Sequence, residues 1–337
     1  MAEMVKKKRI LSGVQPSGKL HIGNYFGAIQ QHLELQEEAA RSPGVEAYFF
    51  VANYHALTTV QDGARLRELT LDVALDYFAL GLDATKSTFY LQSDVPEVCE
   101  LAWLLATVTG MGLLQRAHSY KDKVEQGITP SVGLFTYPIL MAADILAPQA
   151  AVVPVGQDQI QHVEMARDMA GYFNQTFGET FVLPEHRLNK TAKVPGTDGR
   201  KMSKSYNNTL PIFEEGKALR KKMMAIVTDS TPVDQPKNPD TCNLFALYTL
   251  FATPQEIHDL DQRYRQGGLA YGHVKEELFQ KMETYFAKAR DERKRLAGDK
   301  KQVEMWLQQG AERARAVIRP TLVAARQACG LNPEGRR

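Results

Sequence analysis

Hydrophobic positions along the chain change their period near residue 200. Before that point, short apolar runs at residues 9–14, 47–52, 87–91 and 151–155 alternate with longer stretches of helical periodicity at 25–40, 64–80, 96–109 and 157–177. In the last of these, Ile160, Val163, Ala166, Ala170, Phe173 and Phe177 make one apolar stripe. Strand followed by helix, repeated, predicts a parallel sheet with helices on its faces. Right-handed crossovers then give an α/β fold with a Rossmann-like doubly wound parallel sheet, whose ligands bind at the carboxyl ends of the strands. Residues 183–208 turn prolyl, glycyl and basic, as expected of a linker or mobile loop. Beyond 209 only helical patterns remain, at 214–226, 242–251, 254–264, 271–295 and 301–328, with a proline-rich break at 231–239. The expected division is a Rossmann-like α/β domain over 1–200 and a C-terminal α-helical domain over 201–337, with neither repeats nor low-complexity segments.

Composition adds limits. The 337 residues are 44% apolar and 24% charged, ordinary for a globular chain of about two domains. Cys99, Cys242 and Cys329 stand far apart, so no CxxC pair or disulfide framework is expected, and reduced thiols fit a cytoplasmic location. The amino terminus has a basic run but too short an apolar stretch for a signal peptide or a span. Residues 134–156 are long enough to cross a bilayer, yet they contain Asp144, Gln149, Pro138, Pro148 and Pro154 and read as a buried helix followed by a buried strand. The net charge of +2 conceals a split: residues 1–200 carry 17 Lys+Arg against 22 Asp+Glu, and 201–337 carry 24 against 17. A basic half suits a polyanion partner, and equally a solvated lysine-rich helical surface.

Two segments carry the candidate chemistry. Residues 12–25, SGVQPSGKLHIGNY, follow the first strand and open the first long helix, so backbone amides and helix dipole offer an anion site. Gly13-x4-Gly18-Lys19 resembles a P-loop but has Leu20 where magnesium-binding Ser or Thr belongs, and Gly110-Met-Gly112 lacks the third glycine and the preceding strand of a dinucleotide fingerprint. In His21-Ile-Gly-Asn24, two polar side chains three residues apart can donate to phosphate oxygens, and Gly23 lets a flat purine approach the backbone. A structural histidine beside a packing glycine is the alternative. Lys201-Met202-Ser203-Lys204-Ser205 places two lysines in a basic loop able to close over a triphosphate and neutralise a leaving pyrophosphate. Alone, such a pentapeptide is also an ordinary surface loop.

Together, a His-Ile-Gly-Asn form of the HIGH motif and a full KMSKS some 180 residues later resemble the class I aminoacyl-tRNA synthetases. Gly13-Val-Gln-Pro-Ser-Gly18, Tyr137-Pro-Ile-Leu-Met-Ala-Ala-Asp-Ile145, Pro154-Val-Gly-Gln-Asp-Gln159 with His162, and Val227-Thr-Asp-Ser230 are similar to the bacterial tryptophanyl-tRNA synthetases within that class, and the Tyr271-Gly-His273 stretch matches more loosely. The resemblance implies that Gln15, Pro16 and Ser17 line the ATP and amino-acid pocket, and that His21, Gly23 and Asn24 hold adenosine and phosphate. It implies Gly156, Gln157 and Asp158 on the ribose, a backbone contact at Val194, and Lys201, Met202, Ser203, Lys204 and Ser205 on the phosphates. Lys121 and Lys123 correspond to a basic pair near the pyrophosphate. The chain departs from many bacterial relatives in having His21 for Thr and Gln157 for Glu, and the stretch before Lys201 is shorter.

Asp144 bears on substrate choice. A carboxylate in an apolar helix is costly unless a donor meets it, and the indole N–H of tryptophan is such a donor. The resemblance gives Asp144 that role, with Tyr137, Met141 and Gln159 around the ring. A capping or ion-paired aspartate near a helix end is the alternative. The implied activity is a tryptophan–tRNA ligase using ATP, with Mg²⁺ carried on the nucleotide phosphates rather than in a protein cage, tRNA(Trp) as partner, no membrane association, and a homodimer. A nucleotidyltransferase with an HxGH-like helix start would leave the basic half unexplained. A non-catalytic nucleotide- or RNA-binding paralogue would not need both lysines and Asp144.

Overall fold

The computed structural model describes residues 7–117, 131–188 and 194–331. Five strands, β1 (Lys8–Val14), β2 (Val45–Val51), β3 (Thr88–Leu91), β4 (Ala150–Val155) and β5 (Glu185–Leu188), form one parallel sheet in the order β3-β2-β1-β4-β5. The first four are the apolar runs expected from sequence, because strands covered on both faces need hydrophobic residues throughout. β5 corrects the reading of 183–208 as linker or loop. All four of its residues are exposed, so an edge strand beside β4 leaves no alternation in the sequence.

The order of strands reverses between β1 and β4, which opens a crevice at their carboxyl ends. Helices cover both faces. Side chains alternate between them: Ile10, Phe49 and Phe89 belong to one core, and Leu11, Phe50 and Tyr90 to the other. The first helix corrects the expectation of one continuous run over 25–40. It begins as α1 (Ile22–Asn24), passes through a π-helical turn (Tyr25–Ile29) and continues as α2 (Gln30–Arg41). A short α3 (Asn53–Ala56) follows β2, and α4 (Gly63–Ala79) leads back to β3. α5 (Glu97–Ala106) and α6 (Met111–Gln115) precede α7 (Val132–Leu146), and α8 (Ile160–Phe177) follows β4. The apolar stretch at 134–156 is thus α7 and β4, and among the described residues no helix is long and apolar enough to cross a membrane.

The helical region contains α9 (Gly216–Met224), α10 (Asn243–Thr249), α11 (Pro254–Gln266), α12 (Tyr271–Gly298) and α13 (Lys300–Ala328). Its core is continuous with that of the sheet: Leu260 and Phe286 share a cluster with Ile10 and Phe49. α13 wraps the free edge at β3, with Val303 and Leu307 in one core and Ala314, Ile318 and Leu322 in the other. Covering an edge strand removes a site for unwanted pairing. Arg315 and Arg319 both reach Glu97 at the start of α5, at 2.8 and 2.9 Å, and Arg326 pairs with Glu100.

Gly310 sits where α13 crosses that edge. A Cβ there would lie 1.8 Å from the carbonyl oxygen of Phe89, a backbone atom that cannot swing aside. Gly310→Ala is therefore expected to lower stability by about 3 kcal/mol or more despite the helix preference for alanine, read as a fall in the urea midpoint. An unchanged midpoint would show that the helix does not bear on β3 in solution.

Candidate active site

A cavity of about 470 Å³ opens at the β1/β4 crevice and brings together six residues singled out from sequence: Gln15, Tyr137, Met141, Asp144, Gly156 and Gln159. Tyr137, Met141 and Asp144 share a face of α7 because they are four and three residues apart. Gln15 follows β1, while Gly156 and Gln159 follow β4. Gly13 leaves space in the floor, where a Cβ would lie 2.6 Å from the Phe50 ring.

Asp144 is 3% exposed and met by two donors that sequence reasoning missed. His55 Nε2 is 2.9 Å from Oδ2, and the Gln92 amide donates to both carboxylate oxygens at 2.9 and 2.8 Å. Gln92 is itself oriented, its Oε1 accepting from the Tyr54 N–H at 3.0 Å. His55 lies in α3 and Gln92 just beyond β3, so both come from the carboxyl ends of strands. A carboxylate oxygen has two lone pairs, so these bonds hold Asp144 in place while leaving acceptor capacity toward the cavity. Tyr137 is fixed similarly, its hydroxyl 2.6 Å from His162 Nε2.

The remaining candidates form a second group beside this cavity. Ile22 N–H donates to the Leu210 carbonyl at 3.0 Å and Ile212 N–H to the Leu20 carbonyl at 3.1 Å, which clasps the HIGH-like segment to the chain just past KMSKS. Lys204 Nζ then reaches the Ser17 carbonyl and hydroxyl at 3.0 and 3.3 Å. Its stem is exposed, but crowding of the ammonium end lowers its pKa, opposed by the charge of Asp76. Gly23 faces Met202, whose Cβ would lie 3.3 Å from a Cβ at residue 23. Pro16 is buried, while Gln157 and Asp158 are exposed on a 3-10 turn.

His21 is 6% exposed. Burial first, and the Lys204 charge second, hold its pKa down at about 4, so the ring is neutral near pH 7. Its buried Nδ1 has no hydrogen-bond partner among the described residues. Asn24 is not wholly free for a phosphate, because its Oδ1 accepts from the His21 backbone N–H at 3.1 Å. The KMSKS loop is braced by Asn208, whose Oδ1 accepts from Ser203 N–H at 2.8 Å and whose amide donates to Asp198 at 2.7 Å and the Lys201 carbonyl at 3.2 Å. Val194 is buried, its carbonyl engaged by the Met202 N–H at 3.2 Å. Ser205 N–H donates to Ser203 Oγ at 3.3 Å. Lys121 and Lys123 lie outside the described residues.

Comparison with known proteins identifies the family. The model of the class I tRNA synthetases for tryptophan and tyrosine matches residues 4–287. A tryptophan–tRNA ligase of Rhodopirellula baltica is 53% identical, over 96% of this chain and 99% of that protein. The chain belongs to the bacterial-type tryptophanyl-tRNA synthetases of class I. The Fusobacterium nucleatum tryptophan–tRNA ligase is 48% identical, over 96% of this chain and 98% of that protein. The Campylobacter jejuni tryptophanyl-tRNA synthetase, solved with ADP and tryptophan, superposes with a TM-score of 0.90 at 48% identity, over 96% of this chain and all of that one.

The buried histidines of this synthetase carry a pH signature. His32, which also lines the cavity, is held at about pKa 4 by burial, as is His21. Each is 6.5 when unfolded, so between pH 6.5 and 4 the unfolded chain binds protons that the folded one refuses. Their stabilising contribution is full above pH 6.5 and is lost as pH falls to 4, on the order of 3 kcal/mol for each ring. Asp76, raised to about 6, acts in the opposite sense and only partly offsets this. The urea midpoint is expected to fall from pH 7 to 4.5, and less steeply in His32→Gln; equal slopes would refute the assignment.

Proposed function

We propose that this synthetase joins L-tryptophan to tRNA(Trp) in two steps at the crevice between β1 and β4. The tryptophan carboxylate attacks the α-phosphorus of ATP in line, forming the new oxygen–phosphorus bond as the bond to pyrophosphate breaks. The 2′-hydroxyl of the terminal adenosine of the tRNA then takes the acyl group and AMP leaves. The observation that carries this reading is the pairing of two ends in one site: an apolar cavity closed by a fixed carboxylate, and beside it a lysine-bearing loop docked on Ser17. The tryptophan and ADP bound in the Campylobacter relative support it.

In this reading Asp144 accepts the indole N–H, with Tyr137, Met141 and Gln159 around the ring. Gln15, Pro16 and Ser17 line the pocket between amino acid and nucleotide. His21, Gly23 and Asn24 meet adenosine and phosphate, the open Nδ1 of His21 being completed by substrate. Gly156, Gln157 and Asp158 bind the ribose, with a backbone contact at Val194. Lys201 and Lys204, with Met202, Ser203 and Ser205, neutralise the phosphates as pyrophosphate departs. Magnesium would fit as a rider on those phosphates, because the side chains there are lysines and serines, which leave it to the nucleotide's own oxygens. When bound it supplies further charge neutralisation. Residues 1–200 form the ATP and amino-acid domain, and residues 201–337 supply the KMSKS loop and the basic helical tRNA surface. In this reading the enzyme is a homodimer, as the family resemblance implies. We place the enzyme in the cytoplasm with its tRNA.

The deciding measurement is tryptophan-dependent exchange of labelled pyrophosphate into ATP; its absence in the wild type would refute the reading. Lys204→Ala should lower single-turnover adenylate formation at least about a hundredfold with little change in tryptophan affinity, since its charge acts on the leaving group. An analogue with sulfur in place of the ring nitrogen should be rejected by the wild type, because a buried acceptor left without its donor costs about 1 to 3 kcal/mol. Asp144→Ala should lose most of that preference, and full discrimination in the mutant would move specificity elsewhere. Aminoacylation should weaken with salt more steeply than exchange, as counterion release from tRNA requires; parallel loss would detach the basic half from tRNA.

A further inference from the structure

Asp76 lies in the last turn of α4, 2% exposed, among residues that are otherwise core. Arg293 of α12 donates to it from Nε at 2.5 Å and to Asp72 from Nη2 at 3.1 Å, while its guanidinium lies 5.1 Å from the centre of the Phe213 ring. These groups border a cavity of about 370 Å³ that is also lined by Lys19 and Pro211, which flank the two signature motifs. The Ser17–Gly18 corner rides on the same helix. A Cβ at Gly18 would lie 3.9 Å from Leu69 Cδ2 and 3.6 Å from Lys204 Nζ, and Leu69 stands seven residues before Asp76, two turns along one face. Asp76 and Lys204 each feel the other's charge.

An ion pair whose carboxylate is buried while its guanidinium stays partly exposed adds little stability over well-packed apolar residues of the same volume. Its placement is informative for another reason: it puts a negative charge behind the lysine that meets the pyrophosphate, and ties that charge to the helical region. We propose that Asp76 and Arg293 are positioning residues for Lys204, Asp76 holding the loop lysine at Ser17 and Arg293 joining this arrangement to α12. The inference rests on the role given above to Lys204 in adenylation.

The groups facing Asp76 are Arg293 from α12, Asp72 from its own helix and Lys204 from the KMSKS loop, with Lys19 and Glu214 across the cavity. Burial pushes the Asp76 carboxyl up to about 6 although Arg293 pulls it down. Acidification below that value removes its charge, as Asp76→Asn does at every pH. The test is therefore the pH dependence of pyrophosphate exchange for wild type, Asp76→Asn, Arg293→Gln and Arg293→Lys, from pH 5.5 to 8. Dividing one profile by another cancels the titration of ATP itself, and normalising each rate to the amount of enzyme that forms adenylate at that pH removes differences in how much of a variant is folded.

At pH 8, Asp76→Asn should lower the exchange turnover about tenfold with the KM for tryptophan within about twofold. The ratio of wild type to variant should shrink toward one as pH falls below 6. Arg293→Lys should restore most of what Arg293→Gln loses. In a Lys204→Ala background, Asp76→Asn should cost nothing further, because the group it positions is gone. A ratio constant with pH, or the same penalty in the Lys204→Ala background, would overturn the inference and leave the pair as scaffold. Absence of exchange in the wild type would instead refute the functional reading on which it rests.

Discussion

Two backbone hydrogen bonds, Ile22 to Leu210 and Ile212 to Leu20, join segments 190 residues apart in sequence, and the candidate site is assembled around them. They fix the start of the first helix against the exit of the KMSKS loop, which brings Lys204 within reach of Ser17. Because the bonds are made by main chain, they are indifferent to the residues flanking them. The candidate residues His21 and Asn24 lie next to one strand of the clasp, and Lys201 and Lys204 precede the other.

α12 reinforces the clasp from outside. Arg290 donates to the Ile212 carbonyl at 2.8 Å, Arg293 reaches α4, and Tyr285 and Phe286 pack edge-on against Tyr25 in the π-helical turn. One helix of the basic half thus touches the element after each motif. α12 therefore links the segment that follows the HIGH-like motif to the one that follows KMSKS through direct side-chain contacts.

Legibility from sequence followed burial. β1, β2 and β4 are central strands and β3 is an edge strand covered by α13, so their covered faces require unbroken apolar runs, and the α7 face of Tyr137, Met141 and Asp144 follows from helical spacing alone. β5 was illegible because Glu185, His186, Arg187 and Leu188 are all exposed at an edge. The π-turn was illegible because Tyr-Phe-Gly-Ala-Ile has no signature that separates it from an α-helix. His55 and Gln92 stand 89 and 52 residues from Asp144, and only the strand order brings them to it. Asp76 did leave a signal: a lone carboxylate between Leu75 and Tyr77 on an apolar helix face marks a partner from a distant element, though not which one.

The course of α13 ties completion of the fold to the order of synthesis. The sheet's first four strands emerge from the ribosome well before the last helix, yet the β3 edge and the face of α5 stay uncovered until residues 300–328 arrive. Chains form their early structure during elongation, and an unpaired strand edge is where nascent proteins associate wrongly. α13 therefore acts as a closing seal. Until it docks, the nascent polypeptide carries the β3 edge open to chaperones and to neighbouring chains on the same message.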